Sequence, residues 1–324
     1  MSVGTRRYVR ELLARVPPAA PDLRFAEVGR GEHFGLAEQV ALPLEIARLG
    51  PRLVHFMTPL APAWRPARYV VTVHDLIPLR FPALVSRAAA PFYASLGRSV
   101  IRGAALLCVT DERNAEDLQR FFRIDRARCR VVPLGYDPTL LDAAASDERA
   151  QRPYLFYAGN HLPHKNLPVL LAAFAALPAA LELDLYLTGP DDFPGGLARY
   201  ARAGGAVVAL GEVSQAELGR LYRGALAYVQ PSLFEGFGIS MLEAAVVGTP
   251  LIAADTAVPS VLQGVAQTFP ARDARALHAL LVALASAPQA ARDRASEVAP
   301  RLRAYTWDRF SSATAAVYRE VLSH

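Results

Sequence analysis

The chain has 324 residues, 52% of them hydrophobic and 20% charged, with a formal net charge of +5; these are the proportions of a folded globular protein long enough for two domains, not of a disordered chain. No apolar run reaches the roughly eighteen residues of a membrane-crossing helix without charges or prolines, and the polar, basic residues 1–10 do not read as a secretory signal. The arginines are spread along the chain without a nucleic-acid-binding signature, so the charge points away from nucleic acid and toward phosphorylated small molecules, with peripheral contact to an anionic membrane as a further expectation.

Short apolar runs alternate with helical periods almost from end to end. A helical period at 37–48 precedes strand candidates at 52–56, 69–73 and 105–109. A helix at 112–122 and a strand at 130–133 follow. A polar, charged stretch ending at Pro153 then breaks the pattern and reads as a linker. Beyond it come a strand at 154–158, a helix at 167–177 and strands at 183–188 and 206–210. The series continues with a helix at 215–222, a strand at 226–229, a helix at 239–247, a strand at 250–253 and an amphipathic helix at 307–322. Alternation of this kind predicts an α/β fold of two doubly wound parallel sheets. The expected division is 1–142, a linker at 143–153, a second domain at 154–303, and a last segment, 304–324, packing back on the first domain. Cys108 and Cys129 follow neither metal nor disulfide spacing, so the default location is a reducing cytoplasm.

In such sheets ligands bind beyond the carboxyl ends of the strands. The polar residues His74-Asp75, Gly159 to Lys165, Gly189-Pro190 and Ser232 to Gly238 all follow strand candidates, which predicts one cleft served by both domains. Lys165 is the single lysine among 35 basic residues. Where a generic positive charge suffices this chain uses Arg, so the surviving ammonium suggests a point charge on phosphate. The alternative is chance survival at a solvated helix start.

The sharpest segment is Pro231-Ser232-Leu233-Phe234-Glu235-Gly236-Phe237-Gly238-Ile239-Ser240-Met241-Leu242-Glu243. Gly236 and Gly238 allow close approach of a ligand just ahead of a helix, whose free amides and positive end favour phosphate. Glu235 and Glu243 would then accept hydrogen bonds from hydroxyls on either side of it. Otherwise they merely favour the helix start electrostatically, by up to ~1 kcal/mol.

Glu235 and Glu243, with seven residues between them in a segment that opens Ser-Leu-Phe-Glu-Gly-Phe-Gly-Ile-Ser, resemble the Glu-x7-Glu signature of retaining glycosyltransferases of family 4, which have the GT-B fold. Val73-His74-Asp75-Leu76-Ile77-Pro78 resembles the family's N-domain histidine segment. Tyr157-Ala158-Gly159 through Lys165-Asn166-Leu167 resembles its phosphate-binding lysine loop. Val131 to Asp137 resembles the stretch before the interdomain linker, and Leu210-Gly211-Glu212-Val213 the loop beside the base.

The resemblance implies a nucleotide diphosphate sugar donor and transfer of a hexose to a glycan or lipid-linked acceptor with retention. Neither cofactor nor metal is implied, and closure of the domains would exclude water. Lys165 would neutralise the diphosphate, Glu243 would hold the ribose, and Glu235 the transferred sugar. The amides of Phe237, Gly238, Ile239 and Ser240 would take the distal phosphate, with Gly159, Asn160, His164, Gly236 and Val213 around the donor. His74, with Asp75 and Gly4, falls on the acceptor side; the other reading of His74 is a satisfied core imidazole. Many relatives carry an Arg where this chain has Asn160. His161 and His164 are the loop's own candidates for donors and, when protonated, for charge, unless the loop is simply exposed. The Pro163-His164-Lys165-Asn166 loop resembles a subgroup rich in mannosyltransferases, which makes GDP-mannose the first donor expectation and UDP- or dTDP-sugars the alternative. Rivals on the same fold are a catalytically silent binding subunit, an epimerase or a phosphorylase.

Relatives open on a buried strand and a glycine-containing turn before their first helix, whereas Met1 to Leu12 resembles the turn and helix alone. The expectation is an internal start preceded by about a dozen residues, the length of a short strand with its lead-in. The alternative is that residues 23–28 supply the strand.

Overall fold

The computed structural model describes residues 3–29, 38–142 and 150–323. The chain forms two compact units, Met1–Gly135 with Trp307–His324, and Tyr136–Thr306. Most of the expected linker lies outside the described residues. The division falls ahead of residue 142 because the turn Pro138–Leu141 packs on the Gln215–Gly224 helix, where Arg223 donates to the carbonyls of Leu140 and Leu141.

In the first unit four parallel strands lie in the order β1 (Val54–Phe56), β2 (Tyr69–Val73), β3 (Leu106–Val109) and β4 (Cys129–Val131). Every residue of β2, Tyr-Val-Val-Thr-Val, is buried, as a central parallel strand covered on both faces requires. Its one polar side chain is satisfied from two sides: Thr72 Oγ1 lies 2.7 Å from Tyr8 Oη and 2.8 Å from His55 Nε2. His55 Nδ1 in turn meets the Tyr318 hydroxyl at 2.6 Å. Tyr8, Leu12 and Val16, spaced four apart, bury one face of the Val3–Ala19 helix. That helix packs against Trp307–Leu322, and Arg15–Asp308 and Arg319–Asp22 pairs lie along the pair's edge.

Two expectations for this unit need correction. Residues 23–28 form no strand: Arg24 and Glu27 keep the segment exposed, and Phe25 tilts against Tyr318 instead. Gly4 lies in the first turn of the Val3–Ala19 helix, not in a turn ahead of it.

The second unit holds six parallel strands: β5 (Tyr154–Tyr157), β6 (Asp184–Leu187), β7 (Val207–Ala209), β8 (Ala227–Gln230), β9 (Leu251–Ala254) and β10 (Gln267–Phe269), in the order β10-β9-β8-β5-β6-β7. The short polar β10, at the edge, carries no strand signal in the sequence. The chain runs from β5 outward through β6 and β7, then returns to place β8 on the other side of β5. The topological switch point therefore lies between β5 and β8, where open α/β sheets bind their ligands. Both central strands are buried along their length.

Candidate functional site

The loop leaving β5 is shaped by a buried tyrosine. Tyr157 donates from its hydroxyl to the carbonyl of Asn160 at 2.7 Å. A Cβ on Gly159 would fall 2.6 Å from that hydroxyl oxygen, so only glycine fits there. Asn160 accepts from the Leu162 amide at 3.3 Å. His161 bridges outward, with Nε2 2.9 Å from the Thr188 carbonyl and Nδ1 2.6 Å from Asp192. A short turn, Pro163–Lys165, then delivers Lys165, and Asn166 starts the next helix in the left-handed conformation at φ 55°.

This loop is stitched to the one leaving β8. The amide of Leu233 donates to the His164 carbonyl at 2.8 Å, and Asn166 Nδ2 donates to the Pro231 carbonyl at 3.0 Å. A second bond from Asn166, to the Ala271 carbonyl at 2.6 Å, ties in the segment after β10. The two strand ends across the switch point thus hold one another before any ligand arrives.

Lys165 and Glu235 meet in this framework. Lys165 Nζ lies 2.7 Å from Glu235 Oε1 and 2.9 Å from Oε2. Burial alone would raise the Glu235 carboxyl, but the charge and hydrogen bond of Lys165 and the Ser232 hydroxyl outweigh it and hold the group below the usual carboxylate range. His164 is buried beside them. Burial first, and the Lys165 charge second, lower its imidazole to about 4. The loop is therefore not simply exposed at this residue, and with its imidazole lowered to about 4 His164 acts near pH 7 as a neutral ring.

Gly238, at φ 70°, turns the chain into the Ile239–Val246 helix, where a side chain would be strained. Gly236, Phe237, Gly238, Ile239 and Ser240 form this entry. Glu243 follows a turn later, buried, with the Tyr222 hydroxyl 3.4 Å from its Oε2. The helix ends at Gly248, φ 82°, where the Thr249 amide donates back to the Ala244 carbonyl. Val213 sits beyond the end of β7, between Gly211, which bridges to Gly189, and Ser214, which caps the next helix in a reciprocal pair with Glu217.

In the first unit, His74 follows β2. Its Nε2 donates to the Met57 carbonyl at 3.1 Å, which leaves Nδ1 as the accepting nitrogen of the neutral ring. The Tyr8 ring meets it edge-on at 4.5 Å. Burial lowers the ring to about 4 against the opposing pull of the Met57 carbonyl. Asp75 accepts from the Ile77 amide at 3.0 Å. Gly4 is exposed in its helix, and a Cβ there would meet nothing within 4 Å.

Three residues that brace these loops, Tyr157, Tyr228 and Gln230, are not predicted as site residues from the sequence. Gln230 carries the one available signal, a lone amide closing an otherwise apolar strand. Among the described residues no three His, Cys, Asp or Glu side chains gather in a group suited to a metal ion, and no helix is long and apolar enough to cross a membrane.

Two parallel-sheet α/β units with these strand-end sites define the GT-B fold. The family model for glycosyl transferases group 1 matches residues 152–287, and that for glycosyltransferase family 4 matches residues 3–140. The chain is thus a glycosyltransferase with a family 4 domain followed by a group 1 domain. It is 25% identical over 210 residues to the O-antigen chain mannosyltransferase B of Escherichia coli, covering 60% of this chain and 55% of that protein. It is 26% identical over 239 residues to the MMP alpha-(1->4)-mannosyltransferase of Mycolicibacterium hassiacum, covering 71% and 58%. The chain thus spans less than two thirds of the length of these relatives. Among solved structures it is similar to WaaG, a glycosyltransferase involved in lipopolysaccharide biosynthesis, with a TM-score of 0.72 and 13% identity over 97% of this chain and 95% of that one.

Proposed function

We propose that this protein is a retaining hexosyltransferase that takes a sugar from a nucleotide diphosphate donor, GDP-mannose first, and passes it to a glycan or lipid-linked acceptor hydroxyl. The observation that carries the reading is the Lys165–Glu235 pair at the switch point of the second unit. A cation and a carboxylate there match the two halves of such a donor: the ammonium suits the diphosphate and the carboxylate the hydroxyls of the sugar. Arrival of the diphosphate would draw Lys165 from Glu235 and release the carboxylate for the sugar.

Negative charge develops on the diphosphate as it leaves. Lys165 and the amides at the start of the Ile239–Val246 helix would stabilise it, an electrostatic contribution that is often the largest in catalysis. Glu243 would take the ribose, Val213 the edge of the base, and Gly159 and Asn160 the loop wall. With these groups supplying the positive potential, the reaction would need no metal. His74 and Asp75 would serve the acceptor side, His74 as a neutral ring. The mannosyltransferases among the relatives favour mannose. UDP- and dTDP-sugars are the alternatives, and a location on the cytoplasmic face of an anionic membrane suits the charge of +5.

A thermal-shift panel of GDP-, UDP- and dTDP-sugars tests the donor, since ligand binding raises apparent stability by mass action. Stabilisation by one nucleotide class, followed by nucleoside diphosphate release when acceptor glycans are added, is the expected result. No shift with any of them would overturn the reading. A shift without release would favour a silent binding subunit.

A further inference from the structure

Glu235 is held by more than its lysine. Gln230, the last residue of β8, and Ser232 are 3% and 0% exposed. Gln230 Nε2 donates to Glu235 Oε1 at 2.8 Å and to Ser232 Oγ at 2.6 Å. The Ser232 hydroxyl spends its own proton on Glu235 Oε1, also at 2.6 Å. Behind them Tyr228, two residues earlier and therefore on the same face of the strand, directs its hydroxyl to Gln230 Oε1 and lies 3.1 Å from the Ala158 carbonyl.

Chemistry fixes the direction of every link. A carboxylate only accepts, so the amide of Gln230 must turn its NH2 toward Glu235 and its oxygen toward Tyr228. Ser232 then accepts from Gln230 and donates to Glu235. The outcome is a carboxylate whose Oε1 is held by two neutral donors that do not depend on Lys165.

That matters when the donor arrives. If Lys165 moves to the diphosphate, Glu235 loses its cation while remaining buried, and a buried carboxylate without donors is strongly disfavoured or takes up a proton. A protonated or rotated Glu235 would no longer present the same accepting oxygens to a sugar. We infer that Gln230 and Ser232 are positioning residues that keep Glu235 oriented and ionised after Lys165 has turned to the diphosphate. The inference rests on the sugar-binding role proposed above for Glu235.

The test separates sugar from nucleotide. Gln230→Met removes the amide at nearly constant length, and Ser232→Ala removes the hydroxyl. Each full-length variant is titrated calorimetrically with GDP and with GDP-mannose, or with UDP and UDP-glucose if that pair binds the wild type, and its donor turnover is measured. Both variants should bind the bare diphosphate as the wild type does, which also shows that the second unit is folded. Affinity for the sugar nucleotide and kcat should fall about ten- to hundredfold, the scale of a lost hydrogen bond to a charged group. Wild-type sugar-nucleotide affinity and kcat in both variants would overturn the inference, as would equal losses for diphosphate and sugar nucleotide. Glu235→Ala is run beside them. If it discriminates between the two ligands and the other variants do not, the bracing role alone fails. If it treats both ligands as the wild type does, or if the wild type binds neither pair, the role of Glu235 falls and the bracing role with it.

Discussion

Lys165 and Glu235 lie 70 positions apart in the chain and meet through both oxygens of the carboxylate, at 2.7 and 2.9 Å. Their side chains are 15% and 11% exposed, so each has given up most of its water for the other. Removing one member of such a pair strands the other, which is why substitutions here act on stability as well as chemistry.

Lys165→Arg keeps the charge and is nonetheless expected to lower turnover about a hundredfold or more, because a bulkier planar guanidinium with delocalised charge cannot place a point charge where the ammonium sits. Steady-state kinetics with the donor identified in the thermal-shift panel give the answer. Near wild-type turnover would show that the position needs only a positive charge.

Glu243→Ala is expected to weaken binding of the bare nucleoside diphosphate about tenfold, as loss of hydrogen bonds from ribose hydroxyls to a carboxylate would. Calorimetric titration measures it directly. Unchanged affinity would place the ribose elsewhere and leave Glu243 as a partner of Tyr222.

Turnover is expected to persist in excess EDTA, since in the proposed function Lys165 and the amides ahead of the Ile239–Val246 helix would provide the positive potential on the diphosphate. Loss of turnover with chelator, restored by a divalent cation, would overturn the metal-independent part of the proposal.

Three histidines predict how stability depends on pH. Burial lowers His55 to about 3, with the neighbouring His74 adding to the effect, and lowers His74 and His164 to about 4, all from an ordinary value of 6.5. The unfolded chain therefore binds more protons than the native one between these limits. The stability these rings contribute is complete above pH 6.5 and is lost as pH falls toward 4. Urea midpoints should drop between pH 7 and pH 4.5. A midpoint that holds or rises across that interval would contradict the neutral, buried state of the rings.

Much of this architecture is legible in the sequence. Tyr69–Val73 and Glu112–Phe122 have the bounds that patterning predicts, the first because a short run rich in β-branched residues suits a central strand, the second because Asp111 caps the helix through the Arg113 amide. The glycines at 236 and 238 and the two glutamates mark the second unit's strand-end loop from their spacing alone. What patterning cannot show is which polar groups satisfy one another across the fold. Gln230 reads as the tail of a strand until Tyr228 and Glu235 are seen on either side of its amide. The His164 ring looks solvated in a loop of polar residues, and tertiary packing buries it. Gln267–Phe269 pairs at a sheet edge without the apolar run that identifies a strand.

In the proposed function Lys165 is the diphosphate ligand of a nucleotide-sugar site. The most direct test of that role is calorimetric titration of wild type and Lys165→Ala with a nucleoside diphosphate and the corresponding monophosphate, GDP and GMP or UDP and UMP according to the thermal-shift result. The wild type should prefer the diphosphate by about tenfold or more, and Lys165→Ala should lose most of that preference while still binding the monophosphate. An undiminished preference in Lys165→Ala would contradict the assignment.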